Sequence, residues 1–505
     1  MKAEKAVAVL FAFAFAATAS MAAGVEVASP FADGMVLQRG MKVPVWGWAD
    51  PGTQVTVSFA GTTRTATAGA DRKWRVDLPP LEASKEGREL RVNDVTIRDV
   101  VVGEVWFCSG QSNMALQLVG DNPRARDRQG ALVAQTTVRP YVRFAHVKAG
   151  MKITPQPKLA QPVKWLDFRP DNLQSNVSAL AFYYALELYG ALEIPIGLVG
   201  VYRSGSRLEP WVPNEGFRSV PGMEAQAEYV PAEGTNFSKE ALLKLNPKIM
   251  KGHISTIFQP SVHWNAIVEP WAPFASRGMI WYQGEANTPE PEIYDKKMQA
   301  LYNGWAIRFE NPDFKLYFVQ LAPHGAGMVG LQEAQERFAR AEKNAAMAVI
   351  TDIGNPRDIH PNEKELAAKR LAVHALKRDY GFTNAKADSP TLVDALASGR
   401  NAVLRFRDAE KLYVYNMDFS MAAGFELAGA DGEWKPAKIV NLKKRKRSNG
   451  TEFFSGEIEG GPEIVVTAAG VAEPKKVRYL YSSPWHGSVY NEVNLPIGPF
   501  HADLK

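Results

Sequence analysis

The sequence predicts an α/β protein: a central domain with a parallel sheet covered on both faces by helices, and an all-β domain on each side of it. Between residues 99 and 384, continuous apolar runs alternate with amphipathic helix-like stretches, a pattern typical of such sheets. Outside this region, short strand-like runs are separated by turn residues. At 505 residues, the chain exceeds what one hydrophobic core usually organises, so several domains are expected.

Residues 1–22 are the first element. They contain Lys2 and Lys5, then an apolar stretch, and they end in small residues. This layout is typical of a cleaved secretory signal, and the apolar part is too short for a comfortable membrane span. We therefore expect an exported protein, periplasmic or extracellular, with no membrane attachment after signal removal. An uncleaved anchor is the alternative.

Residues 23–98 have the sequence pattern of a small β-sandwich. Their strand-like runs include VPVWGWA, QVTVSFA and KWRVDL, and turn signals occur at residues 50–52 and at Gly61. Short strands at regular spacing predict a sandwich domain at this end of the chain.

Residues 99–384 carry the predicted parallel sheet. The apolar runs VVVGEVWF, IPIGLVGVY, GMIWYQ and FKLYFVQLA alternate with helix-like stretches such as ALAFYYALELYGAL. Ligands in such sheets bind beyond the carboxyl ends of the strands. Polar clusters directly after strands are therefore the candidate sites.

Residues 385–505 return to strand-like runs, among them AVLRFR, KLYVYNM and VRYLYSS. They predict a second β domain. The basic run KKRKR at residues 443–447 is expected to be an exposed hairpin or loop, and a polyanion-binding site is the alternative.

Charge and cysteine content limit the function classes. A net charge of +5 over the chain argues against a nucleic-acid partner, which needs a concentrated basic face. The single cysteine, Cys108, excludes an intramolecular disulfide. It follows two aromatic residues in an apolar run, so we expect a buried core residue rather than a nucleophile.

The first polar cluster is GQSNM, residues 110–114, after the run that ends at Phe107. Gly110 permits a sharp turn, and the Ser112 hydroxyl can then point into the crevice. Met114 replaces the second glycine of a G-x-S-x-G elbow, so that motif is absent. Alone, the cluster leaves Cys108, Ser109 and Ser112 all open as nucleophiles.

The second cluster is WYQGEAN, residues 281–287. Gln283 and Asn287 are neutral donors suited to an oxyanion. Glu285 could orient a base or bind a sugar hydroxyl. A polar loop that satisfies its own backbone is the alternative.

The third cluster is DIHP, residues 358–361, before a predicted helix with Asn362 as N-cap and Glu365 as its N3 partner. A histidine can take a serine proton when a carboxylate holds its other nitrogen, which Asp358 could do for His360. The other histidines are scattered, so we expect no metal centre.

The three clusters, in this order, resemble those of the sialate O-acetylesterase-like family of SGNH-type serine hydrolases. The opening SPFADGMVLQRGMKVPVWGWADPG and the ending NLPIGPFH are also similar to that family, so the resemblance covers nearly all of the chain after residue 22. It implies a flavodoxin-like three-layer SGNH domain between the two β domains. It also implies a serine esterase, without metal or organic cofactor, that releases acetate from acetylated sugars.

The resemblance also implies roles for particular residues. Ser112 would be the nucleophile, His360 the general base and Asp358 its orienting acid. Glu285 stays open as the carboxylate that supports His360, because Asp358 lies two residues before the histidine, where many relatives have three.

The oxyanion hole would combine the backbone N–H groups of Ser112 and Gly205 with the side chain of Gln283. The segment from Tyr202 to Trp211 departs from the family's Trp-Gly-Gly pattern, because Arg203 and Ser204 stand at two of its positions.

Further side chains are candidates for support or substrate binding. Arg203 could pair with a substrate carboxylate, or with Glu209 or Glu285. The other candidates for support or substrate binding are Glu209, Glu285, Asn287 and Asn265. Nearby aromatic residues could stack on sugars or belong to the core; they are Trp211, Trp264, Trp281 and Tyr282.

Two other functions compete with the esterase. One is a carbohydrate-binding surface protein with weakened catalysis, suggested by the flanking β domains and the altered segment at Arg203 and Ser204. The other is a metal-dependent hydrolase. Among esterases, an acetylxylan esterase is the alternative to a sialate O-acetylesterase. The sequence leaves the acetylated sugar and the oligomeric state undecided.

Overall fold

The structure is a computed structural model. It describes residues 24–120, 127–174, 177–229, 242–244, 258–354, 358–415, 424–446, 448, 452–482 and 487–505. The predicted signal segment at residues 1–22 and Arg447 of the predicted basic run lie outside the described residues.

The strands of the described residues are, in chain order, β1 (Glu26–Val27), β2 (Val36–Gln38), β3 (Val43–Trp48), β4 (Gln54–Phe59), β5 (Thr62–Thr67), β6 (Lys73–Leu78), β7 (Ser84–Val92), β8 (Val95–Gly110), β9 (Arg139–His146), β10 (Trp165–Phe168), β11 (Ile196–Tyr202), β12 (Gly278–Tyr282), β13 (Lys315–Val319), β14 (Ala345–Ala348), β15 (Thr391–Ser398), β16 (Asn401–Arg407), β17 (Leu412–Val414), β18 (Phe425–Ala428), β19 (Trp434–Ile439), β20 (Leu442–Lys446), β21 (Glu452–Ile458), β22 (Glu463–Ala468), β23 (Lys476–Tyr479), β24 (Val489–Asn491) and β25 (Phe500–Asp503).

The α-helices are α1 (Ser112–Ala115), α2 (Gly130–Thr136), α3 (Ala179–Leu192), α4 (Asn214–Arg218), α5 (Glu224–Ala227), α6 (Tyr294–Arg308), α7 (Val329–Ala341) and α8 (Lys364–Asp379). Shorter 3₁₀ or π turns occur at Glu209–Trp211, Trp264–Val268, Glu269–Trp271, Glu285–Asn287 and Ala326–Met328.

The N-terminal strands form an all-β region, as predicted. Strands β1, β3 and β6 make one small sheet, while β4, β5, β7 and β2 connect through strand β8 to a larger one. Alternate residues such as Val55 and Val57 are fully buried, as expected for strands with one face on a core.

Strand β8 joins the N-terminal region to the central sheet. Its first half pairs with β2 and β7, and its second half pairs with β11 and β12. The predicted boundary between residues 98 and 99 therefore falls inside a continuous strand. One hydrophobic core extends from Val45 in the N-terminal region to Trp281 in the central sheet.

The central sheet has the strand order β10-β9-β11-β8-β12-β13-β14. All its pairings are parallel except that of β10, which lies antiparallel to β9 at the edge. Every residue of β11 and β12 is buried, which explains their unbroken apolar sequences. The predicted parallel sheet is confirmed as part of a mixed sheet with helices.

The order of the strands places a crevice at the end of β8. From β8 the chain builds β9 and β11 on one side, then crosses to build β12, β13 and β14 on the other. Ligands bind at such a reversal, outside the carboxyl ends of the strands. The carboxyl end of β8 is Gly110, at the start of the GQSNM cluster.

The C-terminal strands form two further sheets, with the orders β15-β16-β22-β19-β18-β23-β25 and β20-β21-β17-β24. They enclose a separate hydrophobic core that includes Leu427, Val466 and Tyr479. The all-β structure predicted for the C-terminal region is confirmed. Most of the basic run lies in β20, where Lys443 and Arg445 both approach Glu457 of β21.

A membrane-spanning helix must be long and apolar enough to cross the hydrocarbon layer. Among the described residues, no helix meets both requirements.

Candidate active site

The turn after β8 displays Ser112. Gly110 has a φ of +140°, and a Cβ on it would lie 2.2 Å from the carbonyl oxygen of Tyr282 on the neighbouring strand. The same carbonyl accepts a hydrogen bond from the backbone N–H of Gln111 at 3.0 Å. The glycine thus lets the chain turn sharply and start helix α1 at Ser112.

The structure brings Ser112 and His360 together, although they lie on distant segments of the chain. His360 Nε2 is 2.9 Å from Ser112 Oγ, which is hydrogen-bonding distance. Asp358 Oδ1 accepts a hydrogen bond from the backbone N–H of His360 at 3.0 Å and lies 3.8 Å from its Nδ1. Asp358 is thus beside the ring nitrogen that faces away from the serine.

The environment of His360 favours its neutral form. Burial first, and then the positive charge of Lys364, lower the pKa of the imidazole, while Asp358 opposes them. A neutral imidazole can accept the proton of a serine hydroxyl. At neutral pH the pair is therefore in the state that a general-base mechanism needs.

The structure places Glu285 next to Asn113 rather than next to His360. Asn113 Nδ2 donates a hydrogen bond to Glu285 Oε1 at 2.5 Å and another to the carbonyl oxygen of Ile359 at 3.0 Å. Burial raises the pKa of Glu285. Of the two carboxylates considered for His360, Asp358 is the one that contacts it.

Gln283 is fully buried, and its amide is already engaged. Its Nε2 donates to Asn287 Oδ1 at 2.8 Å, to Gln111 Oε1 at 3.1 Å and to the carbonyl oxygen of Ser206 at 3.3 Å. Its Oε1 accepts a hydrogen bond from the hydroxyl of Tyr294. Gln283 therefore ties together the segments around the site, and protein acceptors engage the N–H groups that the resemblance assigns to the oxyanion hole.

The turn after β11 lies beside the nucleophile segment. The backbone N–H of Arg203 donates to the carbonyl oxygen of Gly110 at 3.1 Å. Ser204 and Gly205 are exposed; Gly205 has a φ of +72°, and a Cβ on it would meet no heavy atom within 4 Å. The turn is thus open to solvent at the carboxyl end of β11.

Arg203 is also exposed, and it forms no ion pair with any residue that the structure describes. The two intramolecular partners considered for it, Glu209 and Glu285, contact other side chains.

Glu209 belongs to a buried cluster of charges, not to the exposed surface of the site. Its Oε1 lies 2.7 Å from Lys297 Nζ and 3.0 Å from Arg207 Nη2, and both cations also pair with Glu290. Burial opposes ionisation, but the two cations outweigh it and hold the pKa of Glu209 well below its usual range. Asn287 Nδ2 donates to Glu209 Oε2 at 3.1 Å, which links the cluster to Gln283.

Lys297→Met is expected to destabilise the protein by about 3–5 kcal/mol, because it leaves the buried Glu209 and Glu290 with one cation between them. Urea unfolding measures this change. Lys296→Met, at the adjacent exposed position of the same helix, is the matched control and should change stability little. Equal stability of the two variants would contradict a structural role for the cluster.

Asn265 also serves the surrounding structure. Its Nδ2 donates to the carbonyl oxygens of Ile153 and Lys152, at 2.7 and 3.2 Å. This side chain holds a loop, and its amide hydrogens are already used.

Several other candidates lie in the core. Cys108 is fully buried, and burial raises the pKa of its thiol well above the usual range, as expected for an inert cysteine. Ser109, another of the open nucleophile candidates, is buried within β8. The aromatic residues considered for sugar stacking are all at most 1% exposed; they are Trp211, Trp264, Trp281 and Tyr282.

The start of helix α8 differs from the prediction. The helix begins at Lys364 after Glu363, which makes no side-chain cap. The predicted N-cap, Asn362, is therefore wrong. The backbone N–H of Lys364 instead donates to Asp127 Oδ2 at 3.3 Å, so a residue distant in sequence supplies the capping oxygen.

The sequence did not reveal Lys364 as part of this site. Burial lowers the pKa of its ammonium to about 7, against the raising effects of Glu285, Asp127 and Asp358. A lysine in the first turn of an amphipathic helix normally lies in solvent. The sequence offers one indication that Lys364 lies near the site: it follows His360 by four residues, at the start of helix α8.

Comparisons with known proteins agree with the family resemblance. No family model matches the chain. The chain is 26% identical over 471 residues to the sialate O-acetylesterase of Rattus norvegicus, covering 82% of this chain and 85% of that protein. It is 25% identical over 484 residues to the sialate O-acetylesterase of Homo sapiens, covering 86% of each.

A solved structure is similar over almost the whole chain. The crystal structure of a carbohydrate acetylesterase from Xanthomonas citri matches with a TM-score of 0.78 and 28% sequence identity, covering 95% of this chain and 100% of that one. The resemblance predicted from the three clusters is thereby confirmed.

Proposed function

We propose that this protein is a carbohydrate O-acetylesterase that works by a serine mechanism. The observation that carries the mechanism is the 2.9 Å contact between Ser112 Oγ and His360 Nε2 at the carboxyl end of the central strand β8. The named activities of the similar proteins support acetylated carbohydrates as the substrate class.

The reaction begins with proton transfer. His360 Nε2 takes the hydroxyl proton of Ser112 as Oγ attacks the carbonyl carbon of the acetyl group. The imidazolium then gives this proton to the sugar oxygen, the ester bond breaks, and the acetyl group remains on Ser112. In the second half, His360 takes a proton from water as the water oxygen attacks the acetyl carbonyl carbon. The bond between this carbon and Ser112 Oγ then breaks, the imidazolium returns the proton to Oγ, and acetate leaves.

Asp358 would stabilise the imidazolium of His360. At 3.8 Å from Nδ1, its carboxylate is near enough to favour the positive charge without a hydrogen bond in this state. Hydrogen bonds of this kind often tighten only when the substrate is bound.

Backbone N–H groups are the proposed oxyanion donors. Ser112 lies in the first turn of α1, where an N–H has no acceptor within the helix. Gly205, in the exposed turn anchored to Gly110, supplies the second donor. Gln283 would position these segments, since its own N–H groups are engaged by protein acceptors.

We also propose the finer features that the resemblance implies. The central sheet with its site at the strand reversal supports a flavodoxin-like SGNH-type domain. Residues 1–22 would direct export to the periplasm or outside the cell, since their sequence has the layout of a cleaved signal.

Acetate release from a panel of substrates tests the proposal. We expect release from at least one of acetylated sialic acid, acetylated xylan and acetylated pectin, and the substrate preferred by kcat/KM identifies the sugar. A serine-reactive phosphonate should stop turnover and label Ser112, as found by peptide mass spectrometry. Binding to these glycans without acetate release would instead support the carbohydrate-binding alternative.

A further inference from the structure

A buried lysine lies behind the nucleophile. Lys364, the first residue of α8, is 1% exposed, and its Nζ donates a hydrogen bond to Asn113 Oδ1 at 2.7 Å. Asn113 directly follows Ser112 in helix α1 and is also 1% exposed. The ammonium is therefore one side chain away from the reactive serine.

The amide of Asn113 connects the two halves of the site. Its Oδ1 accepts from Lys364, while its Nδ2 donates to the carbonyl oxygen of Ile359 and to Glu285. Ile359 precedes His360 in the chain. One amide group thus joins the serine helix to the segment that carries the histidine, and the bond from Lys364 fixes the orientation of that amide.

We propose that Lys364 is a positioning residue for the esterase reaction. Its hydrogen bond to Asn113 keeps Ser112 and His360 aligned. When Lys364 is protonated, its charge adds to the effect of burial in favouring the neutral imidazole that can accept the serine proton. This inference rests on the proposed serine mechanism.

The cost of burying this charge supports a functional role. A buried ammonium is unfavourable unless it is well paired, and an apolar residue of similar volume is often as stable or more so. Among the described residues, Lys364 forms no ion pair; its hydrogen-bond partner is a neutral amide. Its ammonium also lies 5.0 Å from the centre of the Tyr282 ring.

The charges around Lys364 come from several elements. Glu285, Asp127 and Asp358 favour its protonated form, whereas burial opposes it. His360 in turn is influenced by burial, by Lys364, by Asp358 and by His324. With Lys364 protonated, the imidazole loses its proton more readily, so a neutral residue at position 364 should make His360 easier to protonate.

The variant Lys364→Met tests both parts of the proposal. We expect kcat on a chromogenic acetyl ester to fall roughly tenfold to a hundredfold with little change in KM, because reacting groups lose their alignment. The acid limb of kcat/KM should move to higher pH, because the pKa of His360 rises when the neighbouring charge is removed.

Lys369→Met is the matched control. Lys369 lies on the same helix but has a half-exposed side chain that pairs with Glu365. Its loss should leave both kcat and the acid limb as in the wild type. A mere loss of stability in Lys364→Met would lower the melting temperature without moving the acid limb.

The variant Asn113→Ala distinguishes the alignment of Ser112 with His360 from the effect of the Lys364 charge on His360. It also provides a test if Lys364→Met does not fold. It removes the bridge to Ile359 but keeps the Lys364 side chain, so kcat should fall while the acid limb moves less than in Lys364→Met. An unchanged kcat in Asn113→Ala overturns the positioning role. An unmoved acid limb in folded Lys364→Met overturns the role of the charge.

The serine mechanism itself is tested independently in the same assay. Phosphonate labelling of Ser112 and loss of turnover in Ser112→Ala report on the mechanism whatever Lys364 does. If Ser112→Ala retains turnover, the proposed function fails. If Ser112→Ala is inactive and Lys364→Met behaves as the wild type, only the inference about Lys364 fails.

Discussion

Ser112→Ala is expected to abolish acetate release from acetylated sugars, with a loss in kcat of roughly 10⁴- to 10⁶-fold. The variant has no Oγ to attack the acetyl carbonyl, and His360, 2.9 Å from that atom in the wild type, has no hydroxyl proton to take. The remaining activity would come from water attacking a substrate that the backbone donors still bind. Acetate release and binding of the acetylated sugar should therefore separate in this variant.

Ser109→Ala is the matched control. Ser109 is fully buried in β8, three residues before Ser112, and its Oγ has no hydrogen-bond partner among the described residues. Its loss should leave turnover and melting temperature close to those of the wild type. Wild-type turnover in Ser112→Ala, or inactivity of Ser109→Ala with an intact fold, would contradict the assignment of Ser112 as nucleophile.

The fold was largely predictable because the burial of a strand determines where its sequence is apolar. Strands such as β11, with every residue buried, have continuous apolar sequences, and these predicted the parallel part of the sheet. The path of β8 was not predictable. From its sequence alone, a long strand whose two halves pair with different partners cannot be told from two separate strands. Only the pairing partners distinguish the two cases.

The proximity of Ser112 and His360 was predictable for a related reason. Ser112 lies two residues after the end of the central strand, and His360 has Asp358 two residues before it, so the local sequence already places suitable groups at one edge of the sheet. The directions of the amide side chains were not predictable. Gln283 turns inward because Gln111, Ser206 and Asn287 accept its hydrogen bonds, and the first two of these acceptors are distant in sequence.

The segment after β11 contains two charged residues that the sequence offers as possible contacts for a substrate, and the structure distinguishes between them. Glu209 is a conspicuous acid in sequence, but Lys297 and Arg207 neutralise it in the interior. Arg203, by contrast, remains exposed in the turn anchored to Gly110. The comparison of acidic with neutral acetylated sugars in the panel therefore tests whether Arg203 contacts the substrate.

His360→Asn is expected to reduce kcat by roughly 10⁴-fold, nearly as much as the loss of Ser112, because the two residues act as one unit. Without the imidazole, the Ser112 hydroxyl keeps its proton at neutral pH and is a weak nucleophile. Labelling of Ser112 by a phosphonate should slow to a similar degree. His501→Asn, an exposed histidine of the C-terminal region, is the control and should behave as the wild type.

The pH dependence gives this prediction a second, independent readout. His360 must be neutral to act, and burial with the charge of Lys364 holds its pKa below the ordinary histidine value of 6.5. The wild-type acid limb of kcat/KM should therefore lie below pH 6.5, with activity retained into mildly acidic solution. In His360→Asn this limb should disappear, since the group that titrates is gone. An acid limb that persists unchanged in His360→Asn would assign the general base to another residue.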